Sequence, residues 1–347
     1  MQRTILSLVL VTLASTTPIR RQTSSVPQYV LDHAPLVHLD EQEQWFPSDI
    51  TAQLTNSHPT DASSNPIPNA PSPLTLSNLN SLAGEGVYVT SNEGITALPE
   101  WFHGVAPTPD GSTPGAVASV VITVPKTNDI LDVFYFYFYA YNEGNAPLSI
   151  PNFEFGNHVG DWEHNMIRFN ATTSTPLATW YSQHASGQAF TFSTLSLSPG
   201  TTRPLVYSAR GTHANYATPG PHETAFPGLA FPGVILTDRT SAGLLWDPLR
   251  NACFYEYDIR SDTFTALPAP GNEGGPAAPT KWLDYRGRWG DPQLPDGDPA
   301  QMNLFGARKF TAGPTGPRDK RLGRGPVCNV DEGAECFVKK TLIGAKV

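Results

Sequence analysis

Short apolar runs that are separated by turn residues dominate the chain from Val87 onward. The run Ala118–Val124 is rich in β-branched residues, and Ile130–Tyr141 is aromatic on both of its faces. Further strands are predicted at Thr179–Gln183, Leu205–Ala209, Val234–Leu236 and Phe254–Tyr257. Because Pro and Gly clusters punctuate these runs and no long 3.6-residue repeat is present, we predict a mainly β fold. In an antiparallel β-sandwich with long loops, Ile130–Tyr141 would be a central strand that is covered on both sides.

The composition divides the chain into four parts. In residues 1–21, Arg3 is followed by an apolar run, and the segment ends in the dibasic pair Arg20-Arg21. This pattern is typical of a secretory signal peptide with a processing site. Residues 22–80 are rich in Pro, Ser and Thr and predict an extended N-terminal arm that packs on the main body, with Asp49 at the start of a short helix. Residues 81–310 are expected to form the β-sandwich domain, and residues 311–347 an irregular C-terminal tail. We therefore expect an extracellular, secreted protein.

The chain of 347 residues has a net charge of −9 and no long basic run, which argues against nucleic acid as a partner. Its three cysteines are few for a secreted protein. Cys328 and Cys336 flank a short loop that a disulfide could close, whereas Cys253 lies in an apolar run and is expected to be buried.

One stretch, Gly156–His164, concentrates side chains that can carry chemistry. Read as a turn that runs into a strand, it places Asp161 and Glu163 on one face by alternation and Trp162 on the other, in the core. His158 can lie over the carboxylates if the residues that follow it turn the chain.

Two carboxylates that face the same way repel each other unless a divalent cation, a shared proton or an arginine neutralises them. Two carboxylate oxygens and one imidazole suit a hard ion such as Mg²⁺, Ca²⁺ or Mn²⁺, whereas zinc asks for more nitrogen or sulfur. The alternative is that Asp161 and Glu163 are solvated while Trp162 packs in the core.

Other candidate groups stand near strand ends, where loops commonly place binding residues. His184 and His213 each follow a predicted strand. Ser182, His184 and Asp161 could form a nucleophilic triad, but the chain has no Gly-x-Ser-x-Gly elbow. Asp161 and Glu163 could also be the carboxyl pair of a glycoside hydrolase, although the sequence does not mark either of them as the acid.

Long segments of the chain resemble the vacuolar protein sorting-associated protein 62 family. They cover nearly all of residues 30–320 and include Asn157–His164, Ser182–His184, Arg203–Ala209, Gly211–Gly220, Asp238, Trp246–Pro248, Gly287–Asp291 and Gly313–Pro317. The resemblance implies a role in delivery to the vacuole, so the vacuole or the endomembrane lumen is the alternative location.

A more distant resemblance concerns necrosis- and ethylene-inducing peptide-like proteins, which carry Gly-His-Arg-His-Asp-Trp-Glu after an aromatic strand. Aligned on Asp-Trp-Glu, this heptapeptide implies a divalent-cation site of His158, Asp161 and Glu163 at the rim of a β-sandwich. The further acidic ligand of that family follows the aromatic strand, where this chain offers Asn142 and Glu143. The second histidine of the heptapeptide corresponds to a glycine in this chain.

The same family has a later Ser-x-His-Gly element that is similar to Ser182–His184, and it recognises sphingolipid head groups. We therefore expect a ligand to be contacted by Ser182, His184, His213 and Asn215.

The expected function is recognition, in which a bound cation bridges the protein to a glycan or sphingolipid head group. Contact with a membrane would be peripheral, because nothing amphipathic in the sequence indicates insertion. One alternative is a metal-dependent hydrolase that acts on a glycan or a phosphoester. Another is a non-catalytic sorting protein whose site only braces loops.

Overall fold

The computed structural model describes residues 25–82, 84–127, 129–146, 152–225, 235–272, 274–304, 306–331 and 333–342. The predicted signal peptide at residues 1–21 and Val234 of one predicted strand lie outside these ranges. Within these ranges there are two short α-helices, α1 (Gln28–Asp32) and α2 (Ile50–Thr55). The strands are β1 (Leu36–His38), β2 (Ser57–Thr60), β3 (Tyr88–Ser91), β4 (Ser119–Pro125), β5 (Ile130–Asn142), β6 (His158–Asn170), β7 (Thr175–Gln183), β8 (Ser186–Thr191), β9 (Leu205–Ser208), β10 (Asn215–Tyr216), β11 (Gly220–Ala225), β12 (Ile235–Thr240), β13 (Leu245–Trp246), β14 (Ala252–Asp258), β15 (Thr263–Leu267), β16 (Asn303–Leu304), β17 (Ala307–Arg308) and β18 (Val338–Lys339).

An eight-stranded sheet in the order β15-β14-β4-β5-β6-β7-β8-β18 is the centre of the fold. Its long strands β5 and β6 pair antiparallel along most of their length, so that Tyr139 lies opposite Asp161 and Tyr137 lies opposite Glu163. The prediction of a mainly β fold is therefore confirmed, and all six strand predictions fall on observed strands.

Strand β5 is buried on both faces, as its aromatic alternation predicts. On one face, Phe134, Phe136 and Phe138 pack into a cluster with Trp162 and Trp289. On the other face, the tyrosines of β5 belong to a second cluster. The sheet thus separates two hydrophobic cores.

A four-stranded sheet, β10-β9-β1-β13, lies over the tyrosine face of the large sheet. Val37, Val206 and Trp246 of the small sheet join the cluster that contains Tyr135 and Tyr137. The opposite face is covered by 3-10 turns and loops, with core residues from Leu79–Leu82 and Lys281–Asp284 among them. Sheet-on-sheet packing therefore accounts for one of the two cores.

The sheets are mixed, which differs from the all-antiparallel arrangement expected from the sequence. Strand β14 pairs parallel with β4, β18 pairs parallel with β8, and β1 pairs parallel with β9. Parallel neighbours are joined by long connections, and the alternation of side chains along one strand does not reveal the direction of its neighbour. The strand positions could therefore be predicted, but their directions could not.

Residues from the N-terminal arm enter the fold through regular elements. Strand β1 lies between β9 and β13, and β2 pairs with β3. Helix α2 begins where Asp49 accepts a hydrogen bond from the backbone N–H of Ala52, as the sequence predicts. In the C-terminal tail, Cys328 and Cys336 form the predicted disulfide, with an S–S distance of 2.05 Å, and Cys253 is free. Within the described ranges, none of the helices has the length and apolar character needed to cross a membrane.

Candidate functional site

Strand β6 delivers the two carboxylates of the site. Asp161 and Glu163 alternate with Trp162, which packs in the aromatic core, so both carboxylates project from the opposite face. Gly160, the third residue of β6, has a φ of +68°, which favours glycine. A Cβ atom at this position would collide with the carbonyl oxygen of Trp289. The start of β6 therefore packs directly against the backbone of Trp289.

The two carboxylates line a cavity of about 760 Å³. Its wall also includes His158, His184 and Asn142, whereas Glu143 is absent from it. Further lining residues are Gln183, Gln188, Glu223, Arg308 and Lys320. The volume lies in the range of small-ligand sites, and the wall is rich in polar groups.

Asp161 forms a buried ion pair with His213. The Nδ1 atom of His213 lies 3.0 Å from Oδ2 of Asp161, and its ring stacks on Tyr139 with the ring centroids 3.7 Å apart. Burial alone would raise the pKa of Asp161, but the hydrogen bond from His213 and the positive charges of His213 and Lys320 lower it. Burial opposes a charge on His213 as well, and its bond to Asp161 nevertheless raises the pKa of the ring. Asp161 is therefore an ionised carboxylate.

Glu163 has a different environment, although it is only two residues away. Its carboxylate accepts a hydrogen bond from the hydroxyl of Ser182, and no described residue forms an ion pair with it. Burial, together with the charge of Asp161, raises the pKa of Glu163 to about 8. The neighbouring carboxyls thus differ in protonation at neutral pH: Asp161 is charged, and Glu163 holds a proton.

His158 is held in the form in which an imidazole can act as a ligand. Its Nδ1 atom lies 2.7 Å from the carbonyl oxygen of Gly160, which can only accept, so Nδ1 carries the proton. Burial lowers the pKa of the ring, which leaves it neutral with a lone pair on Nε2. A histidine that donates one ring N–H to a backbone carbonyl and offers the other nitrogen is the usual arrangement in metal sites.

The donor set therefore fits a hard cation in its chemistry: two carboxylates and one neutral imidazole line the same cavity. The described residues nevertheless contain no group of three His, Cys, Asp or Glu side chains gathered closely enough to hold an ion. Asn142 donates its amide N–H to the carbonyl oxygen of Gly156. Waters would have to complete the coordination, as they commonly do for Mg²⁺.

The predicted ligand-contacting residues divide into two groups. His184 lines the cavity, whereas His213, Ser182 and Asn215 are buried behind the carboxylates. The amide of Asn215 lies 3.4 Å from the hydroxyl of Ser182, which in turn bonds Glu163. These three residues orient the carboxylates and do not form the cavity wall.

Asp238 organises a second polar network at the cavity. Its buried carboxylate accepts hydrogen bonds from His184 (2.7 Å), Tyr216 (2.6 Å), Thr212 (2.8 Å) and Asn145 (2.6 Å). Burial disfavours the charge, but these donors lower the pKa of Asp238 to about 2. Burial likewise disfavours a charge on the His184 ring, but Asp238 raises its pKa to about 9.

The sequence reasoning did not assign this role to Asp238, because its partners come from distant segments. Its only signal was a place among the residues that resemble the family. The His184 side chain is 38 % exposed, so the ion pair presents a positively charged ring to the cavity.

Solved structures match this chain only with low similarity. A structure described as "Toxin fold for microbial attack and plant defense" matches with 13 % identity and a TM-score of 0.28, over 73 % of this chain and 84 % of that chain. The structure of NLPPya in complex with mannosamine matches with 12 % identity and a TM-score of 0.29, over 71 % of this chain and 80 % of that chain.

Sequence similarity is more informative. Residues 120–294 match the family described as vacuolar protein sorting-associated protein 62. The protein of that name in Saccharomyces cerevisiae is 33 % identical, over 89 % of this chain and 68 % of the yeast protein. The yeast protein described as vacuolar protein sorting-associated protein TDA6 is 34 % identical, over 87 % of this chain and 68 % of that protein. The chain therefore belongs to the vacuolar protein sorting-associated protein 62 family.

Proposed function

We propose that this protein binds a divalent cation at His158, Asp161 and Glu163 and recognises a polar head group of a glycan or lipid in the adjoining cavity. The observation that carries the proposal is that two buried carboxyl groups and a neutral imidazole line the same cavity. His213 compensates one carboxylate, and Glu163 is left without an ion-pair partner among the described residues. A divalent cation would supply the missing positive charge and attract hydroxyl or phosphate oxygens.

The residues of the chain have separate roles in this recognition. Asp161, held by His213, is a permanent anion and the first anchor for a cation. Glu163 must release its proton before it can take part, so cation and proton compete for this carboxylate. His184, charged through Asp238, offers a hydrogen bond to an anionic or hydroxyl oxygen of the ligand.

The proposed place of action is the vacuole or the endomembrane lumen, with secretion as the alternative. The support for the vacuole is the sorting role in the names of the two yeast relatives. An acidic lumen would favour the protonated form of Glu163, so we expect cation binding there to be weaker than at neutral pH.

A second candidate function is hydrolysis of a glycan or phosphoester at the same carboxyl pair. The observation that favours it is the unequal protonation of Asp161 and Glu163, because an acid beside a carboxylate is the arrangement used in general acid–base catalysis. Glu163 would donate its proton to a leaving oxygen, and Asp161 would stabilise positive charge that develops nearby.

A thermal-shift series on the purified protein tests the proposed function. After treatment with EDTA, the protein is titrated with Mg²⁺, Ca²⁺ and Mn²⁺ at pH 7.5, as wild type, Asp161→Asn, Glu163→Gln and the surface control Glu93→Gln. A cation at a concentration of about one hundred times its Kd should stabilise the folded wild type and the control by ~2.7 kcal/mol. The melting temperatures of the two site variants should not change when the cation is added. Equal shifts in all four proteins, or none, would contradict cation binding at this site.

Binding to glycan and lipid arrays then separates the candidate functions. Retention that EDTA abolishes, without release of product, supports recognition. Cation-dependent product release supports hydrolysis. A wild-type melting temperature that depends on the cation, with no retention and no turnover, would leave only a bracing role for the site.

A further inference from the structure

The cavity at the carboxylates continues into two neighbouring cavities. The next cavity, of about 560 Å³, shares Gln183, Gln188 and Glu223 with the first. A smaller one of about 100 Å³ shares Gln188, Tyr216 and His222 with the second and reaches Lys339 of β18. The three cavities thus adjoin one another in a row beside the β7–β8 hairpin, and we refer to this row as the groove. Its two larger parts each have the volume of a complete small-ligand site.

The β11–β12 hairpin supplies a charged wall for the middle of the groove. Glu223 pairs with Thr237, and Arg239 follows two residues along, so the three side chains project from the same face. Glu223 and Arg239 are exposed, and neither forms a hydrogen bond through its side chain or an ion pair with any described residue. Both charged groups are therefore free to contact a bound molecule.

The other wall offers carboxamides and a fixed ring. The amide of Gln183 donates to the carbonyl oxygen of Asn215, which leaves its own oxygen free to accept. Gln188 stands opposite Tyr181 in the β7–β8 pair and borders all three cavities. His222 stacks on Tyr216 with ring centroids 3.7 Å apart, so its orientation is fixed.

We propose that this groove is an extended subsite for an oligosaccharide chain, whose first unit lies at Asp161 and Glu163 and whose later units lie along Gln188, Glu223 and Arg239. The inference rests on the proposed function and names its ligand class: a chain of several sugar units, not a single head group.

The chemistry of the walls favours a sugar chain over a peptide. Neutral carboxamides together with one carboxylate and one guanidinium supply both donors and acceptors, which suits a chain of hydroxyl groups. An extended peptide would instead need an open strand edge; on the β7–β8 side of the groove, β7 already lies between β6 and β8, and β18 pairs with part of β8.

Calorimetric titration with sugars of increasing length tests the extended subsite. The probes are linear manno- and gluco-oligosaccharides of one to six units, added in the presence of the cation that stabilises the protein most. For whichever series binds, manno or gluco, the Kd of the wild type should fall at least tenfold between the sugar of one unit and the sugar of four units. In Arg239→Gln this gain should shrink to less than threefold, with the Kd for one unit unchanged, because Arg239 borders the second cavity and not the first. The matched control is Arg260→Gln, which removes the same charge from an exposed residue outside the groove.

The outcomes separate the two proposals. A Kd that does not change with length in the wild type overturns the extended subsite and leaves recognition of a single head group standing. The same holds if the groove variant gains affinity with length as the control does. If no sugar of any length binds, glycan recognition fails and the extended subsite fails with it. Unchanged melting temperatures of the variants would show that their folds are intact.

Discussion

The Nδ1 atom of His213 lies 3.0 Å from Oδ2 of Asp161, and Nε2 of the same ring lies 3.0 Å from the carbonyl oxygen of Trp45. A carboxylate and a carbonyl can only accept hydrogen bonds, so both ring nitrogens must donate and the ring is an imidazolium. The pair is fully buried on the histidine side. It therefore acts as a fixed support for the carboxylate that faces the cavity.

Removal of this support should be costly. We expect His213→Leu to lose ~3–5 kcal/mol of unfolding free energy, because it leaves Asp161 as an unpaired buried charge. Urea unfolding measures the loss. The control His58→Gln changes a ring that bonds only the Asn92 amide near the surface, and it should lose far less.

The pair also has a defined pH window. The pKa of His213 is higher in the folded protein than in the unfolded chain, where it is ~6.5. The stability that this shift contributes is therefore complete below pH ~6.5 and is lost as the pH rises through the pKa of the folded state. The pKa of Asp161 is lower in the folded protein than in the unfolded chain, where it is ~3.9. The stability that this shift contributes is therefore present above pH ~3.9 and is lost as the pH falls through the pKa of the folded state. Both contributions are therefore present together between these limits. The difference in unfolding free energy between wild type and His213→Leu should be largest at pH 5 to 6, and a pH-independent difference would contradict the assignment.

Glu163 should make the cation-free protein less stable as the pH rises. Its pKa is raised to about 8, so its proton is lost from the unfolded state first, and the folded state loses stability from pH ~4.5 up to about 8. Over that range we expect a decrease of ~5 kcal/mol in EDTA, since one pKa unit corresponds to ~1.4 kcal/mol. Glu163→Gln should remove this slope. A saturating divalent cation should reduce the slope in the wild type, and a slope that survives in Glu163→Gln would assign it to another group.

Asp238 should contribute more to stability than an exposed carboxylate does. Asp238→Asn replaces an acceptor of four hydrogen bonds by a side chain that must donate at one end, so we expect a loss of ~3 kcal/mol or more. The comparison variant is Asp296→Asn, whose exposed ion pair with Arg308 should contribute far less to stability. Chemical denaturation of both variants at pH 7 measures the difference, and equal losses would be inconsistent with this network.

Gly160 should tolerate no side chain. Gly160→Ala places a Cβ against the Trp289 carbonyl, so we expect loss of ~3 kcal/mol or failure to fold. Gly200 has a similar φ of +72° but faces open space, so Gly200→Ala isolates the backbone strain, which we expect to cost ~1 kcal/mol. Melting temperatures of the two variants distinguish collision from strain.

The position of Gly160 explains a departure from the heptapeptide of the necrosis- and ethylene-inducing peptide-like proteins. That family has a second histidine at the corresponding place, whereas the backbone of residue 160 is packed against Trp289 here. A cation at this site would have to be held without that side chain.

How far the sequence could predict the site depends on the distance along the chain between the interacting groups. Alternation within one strand placed Asp161 and Glu163 on one face and Trp162 in the core, and the structure agrees. The support from His213 and Trp45 could not be predicted, because it depends on how three separate segments pack. The unequal pKa values follow from that packing and from burial, which alternation does not reveal.

The parallel pairing of residues 36–38 with residues 205–207 has a consequence for biosynthesis. The first strand of the small sheet emerges early and then has to remain unpaired until its neighbour is made, roughly 10–30 s later at typical rates of translation. A nascent chain halted before residue 205 should therefore stay sensitive to protease near its N-terminus, and one released past residue 246 should become resistant there. The order in which the ribosome delivers the segments thus makes the closing of this sheet a late event in the maturation of the protein.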